Sequence, residues 1–241
     1  MFLFSSTKFN TASPLRQTAQ ALQALLLGQR CAACERPCAA DPVCAACAAQ
    51  LEVVARCHCC GVVMHTTSPV FSQCGACASR PPPFDALFCL GDFDGSLATL
   101  VAQLKFNQRL VLAPWLALRL RALLAEQAFD CMIAMPLHPT RLVERGFNQA
   151  WEIAKHLPYP AANHLLARTR DTPSQRTVGA AQRFANVKRA FLAQASVAGL
   201  RVLLVDDVVT TTATVAAAST ALKTAGASHV TVACVARAVK N

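Results

Sequence analysis

Residues 201–214 read RVLLVDDVVTTTAT, and the order of residue types in this stretch decides what fold can carry it. Leu200, Val202, Leu203, Leu204 and Val205 form a short apolar run bounded by Gly199 and two acids, as in a central parallel strand covered on both faces. Asp206 and Asp207 stand at its carboxyl end, where open α/β sheets place their ligands. Thr210, Thr211 and Thr212 then lead into an Ala-rich segment, 213–225, expected to be helical, with Gly226 in the place of a C-terminal cap. Backbone N–H groups at a helix start, with hydroxyls beside them, suit a phosphate. Two carboxylates just ahead suit the hydroxyls, or a metal, of a sugar carrying that phosphate. Each feature alone has a plain structural use, since acids end strands and Thr caps helices. Their succession is what points to a ligand.

The rest of the second half alternates strand and helix around this stretch. Residues 229–236 supply a last strand, with Val230, Val232, Cys234 and Val235 turned to the core. Residues 84–93 read as a strand, followed by helices over 96–106 and 113–127, the second with Leu116, Leu120, Leu123 and Leu124 on one stripe. Residues 129–137 form the next buried strand, with Cys131 a core thiol, and Phe191 with Leu192 opens a short one. Between them lies PLHPTRLVERGFNQA, residues 136–150, ahead of a helix over 149–157. Arg141 and Arg145 are four apart with Gly146 behind them, so both can face one anion if the loop makes a helical turn. The alternative is a solvated basic loop with a Gly bend. Lys105 ends the helix over 96–106, where a cation is favoured by the helix dipole.

The first half is of another kind. It holds most of the chain's thirteen cysteines, including four Cys-x-x-Cys pairs: Cys31/Cys34, Cys44/Cys47, Cys57/Cys60 and Cys74/Cys77. Each pair closes a tight turn on one ion through two thiolates, and two pairs complete a tetrahedral sulfur site for Zn²⁺. Eight ligands hold two ions, and a stretch with so few large hydrophobics needs the metal to fold. The gaps between pairs allow sequential or interleaved pairing. Cys38 and Cys59 are read as non-ligands, and His58 and His65 as solvated. A catalytic zinc is disfavoured, because such sites keep an open position and bring His or carboxylate ligands.

These patterns divide the chain into an N-terminal helix in 1–30, a Cys-rich zinc module in 31–80 and an α/β domain in 84–241, joined by the stiff connector Arg80-Pro81-Pro82-Pro83. Residues 14–28 read as an amphipathic helix with Leu15, Leu22, Leu25 and Leu26 near one face. No apolar run approaches the ~20 residues of a membrane span. The N-terminus lacks a convincing secretory signal, so the expectation is a cytoplasmic protein with reduced thiols. With 23 Lys+Arg against 13 Asp+Glu, the formal charge of +10 favours phosphorylated ligands or nucleic acid.

The stretch 201–214 resembles the ribose-phosphate signature of type I phosphoribosyltransferases, with Thr212 where that family carries Gly. Gly there allows positive φ and close approach to the phosphate; a β-branched Thr resists that conformation, which predicts an altered phosphate pocket. PLHPTRLVERGFNQA in turn resembles the P-L-x-x-x-R-x-x-x-R-G-F-N-Q motif of the ComF competence-protein family. RPPPFD at 80–85, LKF at 104–106, TRDTPSQ at 169–175, QRFANVKRAF at 182–191 and VDDVVTTTAT at 205–214 follow the family's order. The resemblance spans about residues 25–240.

It implies a type I phosphoribosyltransferase-like parallel sheet preceded by a small zinc-ribbon-like module. Asp206 and Asp207 would be the catalytic acids, holding ribose hydroxyls and water on Mg²⁺. Thr210, Thr211, Thr212, Ala213 and Thr214 would wrap the 5′-phosphate, while Arg145 and Gly146 would hold pyrophosphate, with Arg141 and Lys105 as further substrate-binding residues. The basic stretch 168–189 corresponds to a hood that closes over the substrate. The implied ligand is phosphoribosyl pyrophosphate or a similar sugar phosphate, in a protein accessory to DNA uptake that binds single-stranded DNA and meets the uptake machinery. The alternative is an active phosphoribosyltransferase, a pentosyltransferase acting on an unknown acceptor. No side chain stands out as a nucleophile, which fits a reaction driven by stabilising the leaving group.

Overall fold

The computed structural model describes residues 29–38, 41–51, 54–64, 73–169 and 190–238. The expected N-terminal helix over 14–28, His65 and nearly all of the expected hood lie outside these residues.

Two short helices, α1 (Ala45–Ala49) and α2 (Gly75–Ser79), belong to the cysteine half. Then follow β1 (Ala86–Asp92), α3 (Gly95–Phe106), α4 (Leu112–Leu123), β2 (Cys131–Ala134), α5 (Pro139–Arg145) and α6 (Gln149–Ala154). The chain continues through β3 (Leu166–Arg168), β4 (Phe191–Ala193), β5 (Arg201–Val209), α7 (Ala213–Thr224) and β6 (His229–Arg237). The main sheet is wholly parallel in the order β1-β6-β5-β2, and β3 pairs antiparallel with β4 in a separate ribbon.

Burial explains why these segments take these forms. β5 and β6 lie in the middle of the sheet with helices packed over it, and Val202, Leu203, Leu204, Val230, Val232, Ala233 and Cys234 are fully buried. β6 is therefore apolar on both faces, where the sequence suggests alternation. Leu97, Leu100, Val101 and Leu104 recur at helical spacing and form the buried face of α3. α4 ends at Leu123, short of the expected 127, and α6 ends at Ala154, four residues before Pro158. Among the described residues no helix is long and apolar enough to cross a membrane.

The two halves of the cysteine region are seated on neighbouring elements of this frame. Cys31, Ala32, Val43 and Cys47 join the hydrophobic core, and Ser96 at the start of α3 donates to Gln50 at 2.6 Å. Residues 54–64 lie along β1: Leu87 N–H bonds the His58 carbonyl at 2.9 Å, and Arg56 pairs with Asp92 at 2.8 Å. His58, expected in solvent, packs edge-on to Phe88 with ring centroids 6.2 Å apart. Gly61 makes this seating possible: its φ is +72°, and a Cβ there would come within 2.6 Å of Leu87 Cδ2.

Candidate functional site

The eight cysteines of the four pairs gather into two groups, Cys31/Cys34/Cys44/Cys47 and Cys57/Cys60/Cys74/Cys77, each with its sulfurs within 4.8 Å of one another. Pairing is thus sequential. Cys34 and Cys44 are 3.7 Å apart between sulfurs, as are Cys60 and Cys74. A disulfide would bring them to about 2 Å. Four Zn–S bonds of about 2.3 Å in a tetrahedron place sulfurs roughly 3.7 Å apart, so the donor set fits the ion. Backbone donors are already aimed at the sulfurs: Cys44 and Ala33 N–H at Cys31 Sγ, and Cys74 N–H at Cys57 Sγ. Burial opposes ionisation of Cys31, yet these N–H groups outweigh it and bring the thiol down to about 6. Cys38 and Cys59 stand outside both groups, bonded to the Asp41 carbonyl and to Gln73.

The second candidate site lies where β5 outruns its neighbour. β2 pairs with β5 only as far as Ala134 opposite Val205, whereas β5 continues to Val209. Asp206 and Asp207 therefore lie inside the strand, in its overhang past β2 rather than after its end. The two carboxylates stay close enough to interact, Asp207 and Lys105 both acting on Asp206. Asp207 is buried; its Oδ2 meets Lys105 Nζ at 2.6 Å, and its Oδ1 accepts the Val208 N–H at 2.7 Å. Lys105 thus reaches from the last turn of α3 into the site, beyond the dipole role that its position alone would give it.

Asp206 is only partly exposed and accepts the Asp207 N–H at 2.8 Å. Burial first, and the neighbouring Asp207 carboxylate second, push its carboxyl from 3.8 up to about 8, against the pull of Lys105. A carboxyl with a raised folded-state pKa binds its proton more tightly when folded, so it contributes stability in acid and loses it as pH rises. The window runs from about pH 4 to about pH 8. Asp206→Asn is expected to flatten the decline in stability across that window, measured by urea unfolding at several pH values; an unchanged slope would remove Asp206 as its source.

After Val209 the chain turns through Thr210, Thr211 and Thr212 into α7. Thr212 adopts φ +59°, ψ −8°, the left-handed conformation that its β-branch was expected to resist, at a cost of about 1–2 kcal/mol. The turn geometry is kept under strain. Thr212 gives α7 no side-chain cap; its hydroxyl bonds the Thr211 carbonyl at 2.6 Å. Ala213 is buried at the first turn of α7, and Thr214 follows it there.

The loop leaving β2 emerges beside the β5 overhang because the strands are neighbours. Pro139 starts α5 at its first turn, His138 caps it by accepting the Thr140 N–H, and Gly146 ends it at φ +76°. Asn148 caps α6 through the Ala150 and Trp151 N–H groups, and its amide holds the Met135 carbonyl at 3.0 Å, locking the loop to β2. Arg141 and Arg145 do lie one helical turn apart. Arg145, however, turns to Gln149, its Nη1 donating to Oε1 at 3.0 Å. Gln149 is 2% exposed and its Nε2 has no partner among the described residues.

Lys105, Asp206 and Asp207 are thus brought together, the Thr turn follows directly, and Arg145 belongs to a pair with Gln149. Sequence reading passed over Gln149 and Arg237. Gln149 is signalled by the QA that ends the motif, and Arg237 by a lone cation closing a mostly apolar strand. Arg237 is 8% exposed and donates to the carbonyls of Cys60, Val209, Thr210 and Ala238.

Comparison with known proteins settles the family. A phosphoribosyl transferase domain model matches residues 144–240, from α5 through β6, starting downstream of Lys105. The DNA utilization protein YhgH of Salmonella typhimurium is 35% identical, over 86% of this chain and 96% of its own length. Competence protein F of Haemophilus influenzae is 28% identical, over 86% of this chain and 90% of its own. The chain belongs to the ComF family. Within that family, YhgH of Escherichia coli K12 is 34% identical over 68% of this chain. The parallel phosphoribosyltransferase-type sheet and the two N-terminal four-cysteine groups expected of a ComF protein are present.

Proposed function

We propose that this ComF protein binds phosphoribosyl pyrophosphate, or a related sugar phosphate, at the β5 overhang and serves as an accessory to DNA uptake. The observation that carries the reading is the largely buried Lys105–Asp207 pair with Asp206 beside it, set shortly before the Thr turn. In this reading Asp206 and Asp207 hold the ribose hydroxyls, and the amides and hydroxyls of 210–214 take the 5′-phosphate. Arg145 and Gly146, with Arg141 and Lys105, neutralise pyrophosphate, and the spare Nε2 donor of Gln149 adds a hydrogen bond there. Two carboxylates offering hard oxygens suit Mg²⁺, which holds few protein ligands and keeps waters. The ion would supply charge neutralisation to the departing pyrophosphate.

An active pentosyltransferase is the second reading, favoured by Thr212 keeping the left-handed turn geometry despite its side chain. The names of the relatives, one a DNA utilization protein and another a competence protein, support a role in DNA handling. So does the charge of +10; with two Trp and one Tyr, contact with single-stranded DNA would rest on phosphates and weaken steeply with salt. The eight grouped thiols take Zn²⁺ as a structural ion, in keeping with a reduced cytoplasm.

Phosphoribosyl pyrophosphate with Mg²⁺ at about 100 times its Kd is expected to stabilise the chain by about 2.7 kcal/mol, a rise in Tm of roughly 5 °C or more. The double variant Asp206→Asn/Asp207→Asn should show no rise. A wild-type protein whose Tm does not move would end the ligand reading. For DNA, the check is affinity for a single-stranded oligonucleotide as salt is varied.

A further inference from the structure

Arg237 closes β6 and is 8% exposed, yet it pairs with no carboxylate among the described residues. Its guanidinium spans two parts of the molecule. Nε donates to the Cys60 carbonyl at 2.8 Å, inside the second four-cysteine group. Nη1 donates to Val209 O at 3.1 Å, to Ala238 O at 2.7 Å and to the carbonyl of Thr210, the first residue of the phosphate turn. A buried cation needs negative potential around it. Carbonyl dipoles supply part, and a Zn²⁺ held by four thiolates, of net charge about −2, supplies the rest from the Cys60 side.

The turn needs such an anchor. Thr212 stands in a left-handed conformation and gives α7 no side-chain cap, so that geometry persists only where neighbouring groups over-determine it. Among the described residues, Arg237 is the side chain that holds the carbonyls of both Val209 and Thr210. Among the described residues the first four-cysteine group has no such link; contacts of its segment run to α3 and, through the Arg30 carbonyl, to Arg109.

We propose that Arg237 is a positioning residue that couples the second four-cysteine centre to the phosphate turn. Metal in the Cys57/Cys60/Cys74/Cys77 group keeps residues 208–214 ordered, and its loss loosens them. The consequence for a phosphorylated ligand rests on the binding reading above; the coupling itself does not.

The test is hydrogen–deuterium exchange of peptides covering 208–215 in the full, zinc-loaded chain, with metal content measured in parallel. Arg237→Gln should speed exchange there at least tenfold while two zinc ions are retained. Arg237→Lys, which keeps the charge and loses the fork, should fall between. Cys77→Ser should speed exchange in the turn to a similar degree and Cys47→Ser should not. Combining Arg237→Gln with Cys77→Ser should add nothing further, a non-additivity that a general loss of stability would not give. Unchanged exchange in Arg237→Gln, or in Arg237→Lys should the first fail to fold, overturns the proposal, as does an equal effect of Cys47→Ser. Ribose 5-phosphate titrated into the same proteins separates the two ideas. If it fails to bind the wild type while the exchange pattern holds, the ligand reading falls and the coupling stands.

Discussion

Cys57→Ser is expected to bring the zinc content from about two ions per chain to about one, and to lower the melting midpoint by roughly 10 °C. Cys57 is wholly buried, and its sulfur accepts the Cys74 N–H at 3.2 Å, so a serine there has neither the soft donor nor an exit to water. A structural zinc site contributes about 10–16 kcal/mol of apparent binding energy, and a three-ligand remnant holds only part of that. The whole domain is stable by about 5–15 kcal/mol, so losing even about 3 kcal/mol is severe. The damage should spread along β1, because the Leu87 N–H and Asp92 are both satisfied by residues of this module. Cys38→Ser and Cys59→Ser are the controls: both thiols lie outside the groups, and both variants should keep two zinc ions. Metal analysis that finds about two ions in Cys57→Ser would show that the second group is not a four-sulfur site.

What the residues disclosed before the fold was seen follows from the range of the interactions involved. Cys-x-x-Cys spacing is local chemistry, so the eight ligand candidates were legible, while the choice between sequential and interleaved pairing depends on how 31–77 folds back and was not. The parallel sheet was legible because the run from Val202 to Val205 is apolar without alternation, a pattern that only a doubly covered strand tolerates. The end of that strand was not: Asp206 and Asp207 look like strand terminators, yet pairing with β6 carries β5 on to Val209. Thr212 was expected to refuse a left-handed backbone and adopts one, in a turn where Arg237 bonds the carbonyls of Val209 and Thr210. Arg237 lies 177 residues from Cys60, and Lys105 is 102 positions from Asp207, so no local pattern could have joined them.

That long-range pair sets the other large expected effect. Lys105→Met should destabilise the empty protein by about 3 kcal/mol, because the side chains of Lys105 and Asp207 are only 19% and 12% exposed and removal of the cation leaves two adjacent carboxyls without their counter-charge. Asp207→Asn should cost a similar amount by leaving the ammonium unpaired. The double variant Lys105→Met/Asp207→Asn, in which no lone charge of the pair is left, should cost little more than either single change, and urea unfolding of the four proteins measures the coupling. Additive costs would mean that the 2.6 Å contact does not carry the energy of the site. The same cycle bears on the proposed ligand. If Mg²⁺ bound with phosphoribosyl pyrophosphate takes over the counter-charge that Lys105 supplies to the empty site, the deficit of Lys105→Met should shrink when both are added. A deficit that stays constant at saturating ligand would place the metal away from Asp207, and a ligand that no longer binds would make Lys105 a contact of the ligand itself.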